Sequence, residues 1–368
     1  MNAMPTPIEL GRAPPAALLD GAVALALATG APLRFVGPIE GADAALVLAA
    51  VRLCSPDNPA ALDLARAALG KDGAVELPLG RPRAGNYALQ FDDARASARA
   101  VTSLVWPLAL AGRPSALRLL GPNHAEGAPT FHELRLCWAP LAGRFGLRIG
   151  LEMPAAGFDS EAGEIVAELE PVPALQPLQL VHRGLLQQAS VVAATTGGSH
   201  EEPLLAAQRA AKRLRAHGII AEAERVPMPH VAQSGPRWAL TGVIEFERSL
   251  ACASAVPARS DPRLKLSGAD PSAEQAGDRV AERLAAFLSR RGALDGVTAE
   301  RLLVPAVISA AGLGARAGPP PASHFTTSEV TEGLLALAQL ARKVLPVRAA
   351  VDGAQGEEGV VVVTPYAQ

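Results

Sequence analysis

Aromatic residues make up only 4% of this 368-residue chain, and lysine is almost missing, occurring only at Lys71, Lys212, Lys265 and Lys343. Arginine supplies the remaining positive charge, and 34 basic residues against 36 acidic ones leave a net charge of -2. A chain so balanced lacks the broad positive field that drives non-specific phosphate binding, so any nucleic-acid contact has to be local and no DNA sequence readout is expected. Cysteine is scarce too: Cys54, Cys137 and Cys252 are far apart and odd in number. That spacing argues against a disulfide framework and against a paired-cysteine zinc site. The apolar run Gly21 to Ala28 is too short to span a bilayer, and no Lys/Arg-rich leader with a small-residue cleavage site surrounds it. A cytoplasmic protein without membrane contact is expected.

What is present is aliphatic. Apolar residues reach 49% and charged residues 19%, a globular composition, and the length suits two or three compact units. An Ala/Leu-rich helical stretch that ends at Gly or Pro and leads into a short strand recurs four times. The instances are Leu18–Gly30 into Leu33–Val36, Ala94–Gly112 into Ala116–Leu120, Phe131–Gly146 into Leu147–Leu151, and Ser328–Leu345 into Val347–Val351. Further strands are expected at Tyr87–Phe91, Glu164–Leu169, Ala239–Phe246 and Val360–Val363. The texture changes between about His182 and Pro262, with polar Thr195–His200, a basic helix Leu204–His217 and turn-rich Met228–Gly235. An inserted small α/β domain over 182–262 is therefore expected, flanked by a large domain over 1–181 and 263–368. Pro271–Arg290 and Val297–Ala311 read as helices, and Gly312–Ala322 as a connecting loop.

Four segments carry a resemblance. Ala116-Leu-Arg-Leu-Leu-Gly121, the loop Pro122-Asn-His-Ala-Glu-Gly-Ala-Pro-Thr130, a helix and Gly157-Phe158 follow one another in order. Thr298–Pro305 precedes Ser323–Glu329 and a helix that ends Leu345-Pro346-Val347-Arg348. Leu25–Phe35 carries a Thr-Gly-Ala-Pro ending, and Gly85-Asn86-Tyr87 opens a strand. In order and spacing these segments resemble the RNA 3'-terminal phosphate cyclase family. The resemblance implies an α+β fold: a large domain of repeated α/β units like the C-terminal domain of initiation factor 3, with an inserted small α/β domain. It also implies an activity. Members use ATP and a divalent metal to attach AMP to a histidine, pass it to an RNA 3'-phosphate and close a 2',3'-cyclic phosphate, with loss of AMP.

Residue by residue, the resemblance fails where that chemistry sits. The register of the family's nucleophilic histidine, threonine and asparagine reads Gly333-Leu334-Leu335-Ala336-Leu337. The nucleotide cradle reads Gly11-Arg-Ala-Pro-Pro-Ala-Ala-Leu-Leu-Asp20, with two prolines that remove N–H donors and an aspartate where the family is positive. In the family's next basic segment only Arg52 survives, in Val51–Asp57, and the turn Asp159–Glu164 is more acidic than its counterpart. Glu300 keeps the carboxylate of the family's late-helix aspartate. His324, nine residues before Gly333, is the candidate rescue nucleophile, set beside the plainer reading of a loop histidine that meets solvent or backbone. Asn123, His124 and Phe158 are candidates for lining a retained nucleotide or substrate pocket, or else form a polar turn before Thr130. Arg209, Lys212, Arg213 and Arg215 either face a phosphate backbone or form a solvated helical face, given Glu201, Glu202, Glu222 and Glu224 close by. His132-Glu133 lacks the second histidine of a metal signature, and no metal ligand set is read. No Walker-type loop, Ser-His-Asp order or Rossmann glycine fingerprint is visible.

Three readings follow: an active cyclase with a displaced nucleophile, using ATP and a divalent metal; a relative deficient in cyclisation that binds RNA 3' ends or a protein partner; or another reaction on the same fold. The second is preferred, because nucleophile, helix neighbours and phosphate cradle are lost together.

Overall fold

Four sheets and the helices that follow their strands make up the computed structural model, which describes residues 6–159, 161–197, 201–229, 237–257, 272–315 and 318–366. Parts of the expected Thr195–His200, Met228–Gly235 and Gly312–Ala322 stretches, and Ser160 of the acidic turn, lie outside the described residues.

The helix Ala16–Thr29 shows how the large core is built. It is apolar on all sides and Gly21 to Ala28 are buried, so it has to sit among other elements rather than on them. It packs against the helices Gly41–Cys54, Ala94–Ala109, Gly296–Ala310 and Glu332–Val344. Gly30 ends it in the left-handed region, at φ 78°, donating its N–H to the Ala26 carbonyl. The chain then enters the strand Leu33–Val36, which pairs with Ile8–Glu9 on one side and Ala74–Leu77 on the other.

A second sheet runs Asn86–Gln90, Ser115–Leu120, Glu164–Leu169, Ile149–Ala155. A third runs Val347–Asp352, Gly359–Pro365, Ser323–Thr327, Gln179–Leu180. The mixed α and β class expected from the sequence is what forms. Most expected elements stand within a few residues of their bounds. The strand expected at Leu147–Leu151 starts at Ile149, after Gly146 turns the chain at φ 83°. Val51–Asp57, matched to the family's basic segment through the resemblance, forms the end of the helix Gly41–Cys54 and the turn after it.

The fourth sheet runs Glu222–Pro227, Leu186–Thr196, Arg237–Phe246, Leu250–Ala255 and has its own apolar core. The helices Glu201–Arg215 and Ser272–Leu288 cover one face of it. The second of these begins beyond residue 262, where the sequence places the end of the insertion. It packs here because Val280, Ala281, Leu284 and Phe287 form one stripe that buries against Ala207, Leu214, Leu240 and Ile244.

Trp106 anchors the large core. It is fully buried, meets Trp138 edge-on at 6.0 Å and Phe145 at 5.8 Å, and donates Nε1–H to the Thr102 carbonyl at 2.8 Å. Trp106→Ala is expected to lower stability by about 3–5 kcal/mol in urea or guanidinium denaturation, since the helix around it leaves the cavity little room to collapse.

Candidate functional site

Four helices begin around one cavity of about 560 Å³. Ala16 and Ala17, Gly41 and Ala42, Arg95, and Val297 and Glu300 come from the first turns of those helices, while Gly127 and Pro129 come from the loop before Thr130. Helix N-termini carry partial positive charge and unsatisfied N–H groups, so such a place attracts anions. Here the protein supplies the anions itself. Asp93 accepts the Arg95 N–H at 2.7 Å, and Asp43 lies in the first turn of its helix.

Asp20, Glu40, Asp43, Asp93 and Glu300 bring five carboxylates to the wall against the guanidinium groups of Arg95, Arg99 and Arg301. Two of the arginines are already engaged. Arg99 donates Nε–H to Asp20 at 2.7 Å and an Nη–H to Asp43 at 2.6 Å, with its side chain only 14% exposed. Arg301 donates to Glu133 at 3.1 Å, and Glu133 in turn accepts the Ser254 hydroxyl at 2.5 Å. Among the described residues Arg95 forms no ion pair. Burial pushes the Asp20 carboxyl above its ordinary value against the lowering pull of Arg99.

Gly333 lies buried beside this cavity. The helix Glu332–Val344 runs alongside Ala16–Thr29 in the same direction, Gly333 against Ala17 and Leu337 against Gly21. A Cβ at position 333 would sit 2.5 Å from a Glu300 carboxylate oxygen and 2.8 Å from the Ala17 Cβ. Thr331 caps the helix by accepting the Leu334 N–H at 3.0 Å, and its hydroxyl donates to Glu300. Desolvation raises the Glu300 carboxyl above its ordinary value, while Thr331 and Arg301 pull the other way. The space a side chain at 333 would need is thus taken by a carboxylate and a helix contact.

The remaining candidates go elsewhere. Asn123, His124 and Phe158 come together, but as a buried knot that does not line the cavity. Asn123 Oδ1 accepts the Gly157 N–H at 2.9 Å and meets His124 Nδ1 at 2.7 Å, while its amide donates to the Ala155 carbonyl at 2.8 Å. Because that oxygen only accepts, His124 Nδ1 carries the proton, and its fully buried Nε2 has no partner. Burial first, then His132 and Arg237, push the His124 imidazole down to about 3, so it is neutral. Its ring stacks on Phe158 at 4.8 Å, and Arg237 covers the other ring's face at 4.9 Å while pairing with Asp159 at 2.8 Å.

Arg52 sits in the last turn of its helix and His324 in the strand Ser323–Thr327, where its N–H is bonded to the Leu178 carbonyl at 2.8 Å; neither lines the cavity. Of the sequence candidates, Glu300 alone does, joined by Asp20 of the expected cradle. Sequence reasoning missed Asp43, Arg99 and Arg301. A usable signal was there: Arg99 is a cation well inside a helix whose other positions are nearly all buried.

The basic helix is also committed. Arg209 pairs with Asp278 at 2.7 Å and with Glu274 at 3.0 Å, and Arg213 with Asp278 at 3.0 Å and Glu282 at 3.1 Å. Among the described residues no three His, Cys, Asp or Glu side chains are grouped to hold a metal ion, and no helix is long and apolar enough to cross a membrane.

Comparison with known proteins points one way. The family described as RNA 3'-terminal phosphate cyclase matches residues 73–351, more than half of the chain. The chain is similar to an RNA 3'-terminal phosphate cyclase of Pseudomonas aeruginosa strain UCBPP-PA14, 28% identical over 285 residues that cover 77% of this chain and 75% of that one. It is also similar to one of Ectopseudomonas mendocina, 27% identical over 340 residues and 90% of each chain. Among solved structures it is similar to the enolpyruvyl transferase NikO from Streptomyces tendae, at a TM-score of 0.23 and 21% identity over 45% of this chain and 33% of that one, a likeness too slight to build on.

Two substitutions probe the cavity. Arg99→Ala strands Asp20 and Asp43 without their cation and is expected to lower stability by about 3–5 kcal/mol in urea denaturation. Glu300, whose folded value is raised, is stabilising in its neutral form; that stability is full below the unfolded value and is lost as pH rises through the folded one. Glu300→Gln stays neutral throughout, so it should melt above wild type near pH 7, and the gap should close on acidification. Equal melting temperatures at neutral pH would contradict this account.

Proposed function

Because the chain belongs to the RNA 3'-terminal phosphate cyclase family, we propose that it is a cyclase-like protein that binds RNA 3' ends and is deficient in ATP-dependent cyclisation. The observation that carries this reading is Gly333. Adenylylation of the family's kind needs an imidazole at that position to attack the α-phosphate, and here the position has no side chain, and a Cβ there would press on Glu300 and Ala17.

The wall of the cavity supports the same reading. A triphosphate with its divalent metal requires cations or free N–H groups around its oxygens. Carboxylates outnumber guanidinium groups here, Arg99 and Arg301 are spent on other carboxylates, and Asp93 occupies a helix N-terminus. These residues do not fit ATP, and no step through it is derived. The alternative of an active cyclase with His324 as displaced nucleophile draws no support from the strand position of that residue.

RNA recognition follows from the family, and the ion pairs of Arg209 and Arg213 turn attention from the basic helix to other surfaces, with Arg95 as the unpaired cation at the cavity. A cytoplasmic setting fits an RNA-end binder. We further take the inserted unit to extend from 182 to about 290, since the helix Ser272–Leu288 shares its core.

Incubation with α-labelled ATP and magnesium or manganese, followed by a denaturing gel, is expected to leave the protein unlabelled, and an RNA 3'-phosphate substrate should yield no cyclic end. Gly333→His should stay unlabelled as well. Filter binding should retain RNA carrying a 3'-phosphate. Label that survives denaturation on wild type and disappears in His324→Ala would overturn the deficient reading; failure to retain RNA at low salt would overturn RNA binding.

A further inference from the structure

The inserted sheet meets the rest of the protein along a seam with a readable register. Thr130 and Thr241 share a hydroxyl hydrogen bond at 2.8 Å, and Ser254 donates to Glu133 at 2.5 Å. Thr241 and Ser254 are partners on neighbouring antiparallel strands, so their side chains lie on one face of the sheet. Two residues back along a strand returns to the same face, which places Cys252 beside Ser254 there. Four residues on along a helix does likewise, which places Cys137 beyond Glu133.

The neighbouring residues agree. Ala251 and Ala253 belong to the core of the small sheet, whereas Leu250 and Cys252 pack against the large core that holds Cys137. The strand Leu250–Ala255 that carries Cys252 packs against the Leu134–Trp138 turn that carries Cys137. Cys54, by contrast, donates its thiol to the Gly80 carbonyl at 2.9 Å.

We propose that Cys137 and Cys252 form a reversible disulfide that staples the inserted sheet to the helical run beginning at Phe131 when the protein meets a peroxide or a small-molecule disulfide. Two S–H bonds break and one S–S bond forms; the two electrons and two protons go to the oxidant, giving two waters from hydrogen peroxide or two thiols from a disulfide. Cys252, half-buried, offers the oxidant access, and Cys137 is the buried resolving partner. The neighbouring Cys137 thiol, followed by burial, holds the Cys252 thiol well above its ordinary value, so thiolate is scarce and oxidation is slow. The staple also bears on the cavity: Ser254 holds Glu133, and Glu133 holds Arg301 in its wall. It goes beyond the reading as an RNA-end binder and stands whether or not RNA is bound.

The test treats the full chain with hydrogen peroxide, removes the oxidant, denatures, and alkylates the remaining thiols for intact-mass and peptide analysis. Expected are a mass lower by about 2 Da before alkylation, a label on Cys54 alone, and joined peptides bearing Cys137 and Cys252, all reversed by dithiothreitol. Oxidised wild type should melt roughly 3–8 °C above reduced wild type. Cys54→Ser should behave like wild type, while Cys252→Ser, altered at the half-exposed partner, should lose both the joined peptide and the gain in melting temperature. Three alkylatable thiols after oxidation, oxygen added to a sulfur in place of the bond, or a product linked through Cys54 would each overturn the proposal.

Discussion

Arg99 is a charge that three helices share. A guanidinium with so little exposure is tolerable only when anions meet it, and Asp20 and Asp43 do so from the helices Ala16–Thr29 and Gly41–Cys54 while Arg99 itself rides on Ala94–Ala109. Apolar packing among Ala-rich surfaces is permissive about register, because small side chains interlock weakly. A buried ion triad is not: it sets which turns of the three helices face one another, and so sets the shape of the cavity between them.

The same triad decides the chemistry of that cavity. Four helix starts make a place suited to an anion, and a cyclase needs such a place for phosphates. In this chain five carboxylates stand there, and of the cations opposite them Arg99 and Arg301 are taken while Arg95 forms no ion pair among the described residues. Gly333 bounds the cavity on the other side: its helix approaches Ala17 closely, with Glu300 held across the gap by Thr331, so a side chain there would require both neighbours to shift. The carboxylates of the wall and the close helix contact at Gly333 belong to one packing arrangement around the cavity.

The inserted sheet is tied to this core by apolar contacts, among them Ala194, Ala239 and Leu250, and by a set of polar ones. Glu133 is central to them, accepting from Ser254 of the sheet and from Arg301 of the large core at once. On the far side of the sheet, the arginines of Glu201–Arg215 neutralise the acidic face of Ser272–Leu288. Two of the four basic residues that look from their own helix like an RNA-facing surface, Arg209 and Arg213, are engaged in ion pairs at the protein surface.

The α/β class, the helix and strand order and the family were legible in the sequence, because apolar periodicity and Gly/Pro punctuation are local signals and the matched segments keep their spacing. The grouping of the site was not. Asp43, Arg99 and Arg301 are scattered along the chain and carry no motif, and only helix packing brings them to one wall. Asn123 and His124 resembled site residues, yet Asn123 is spent on the backbone of Ala155 and Gly157 and His124 is buried against Asn123 and Phe158, a burial that no local pattern specifies. Local physics wrote the elements into the sequence, whereas which charges are free to meet a ligand depends on partners distant in the chain, and that only the tertiary structure decided.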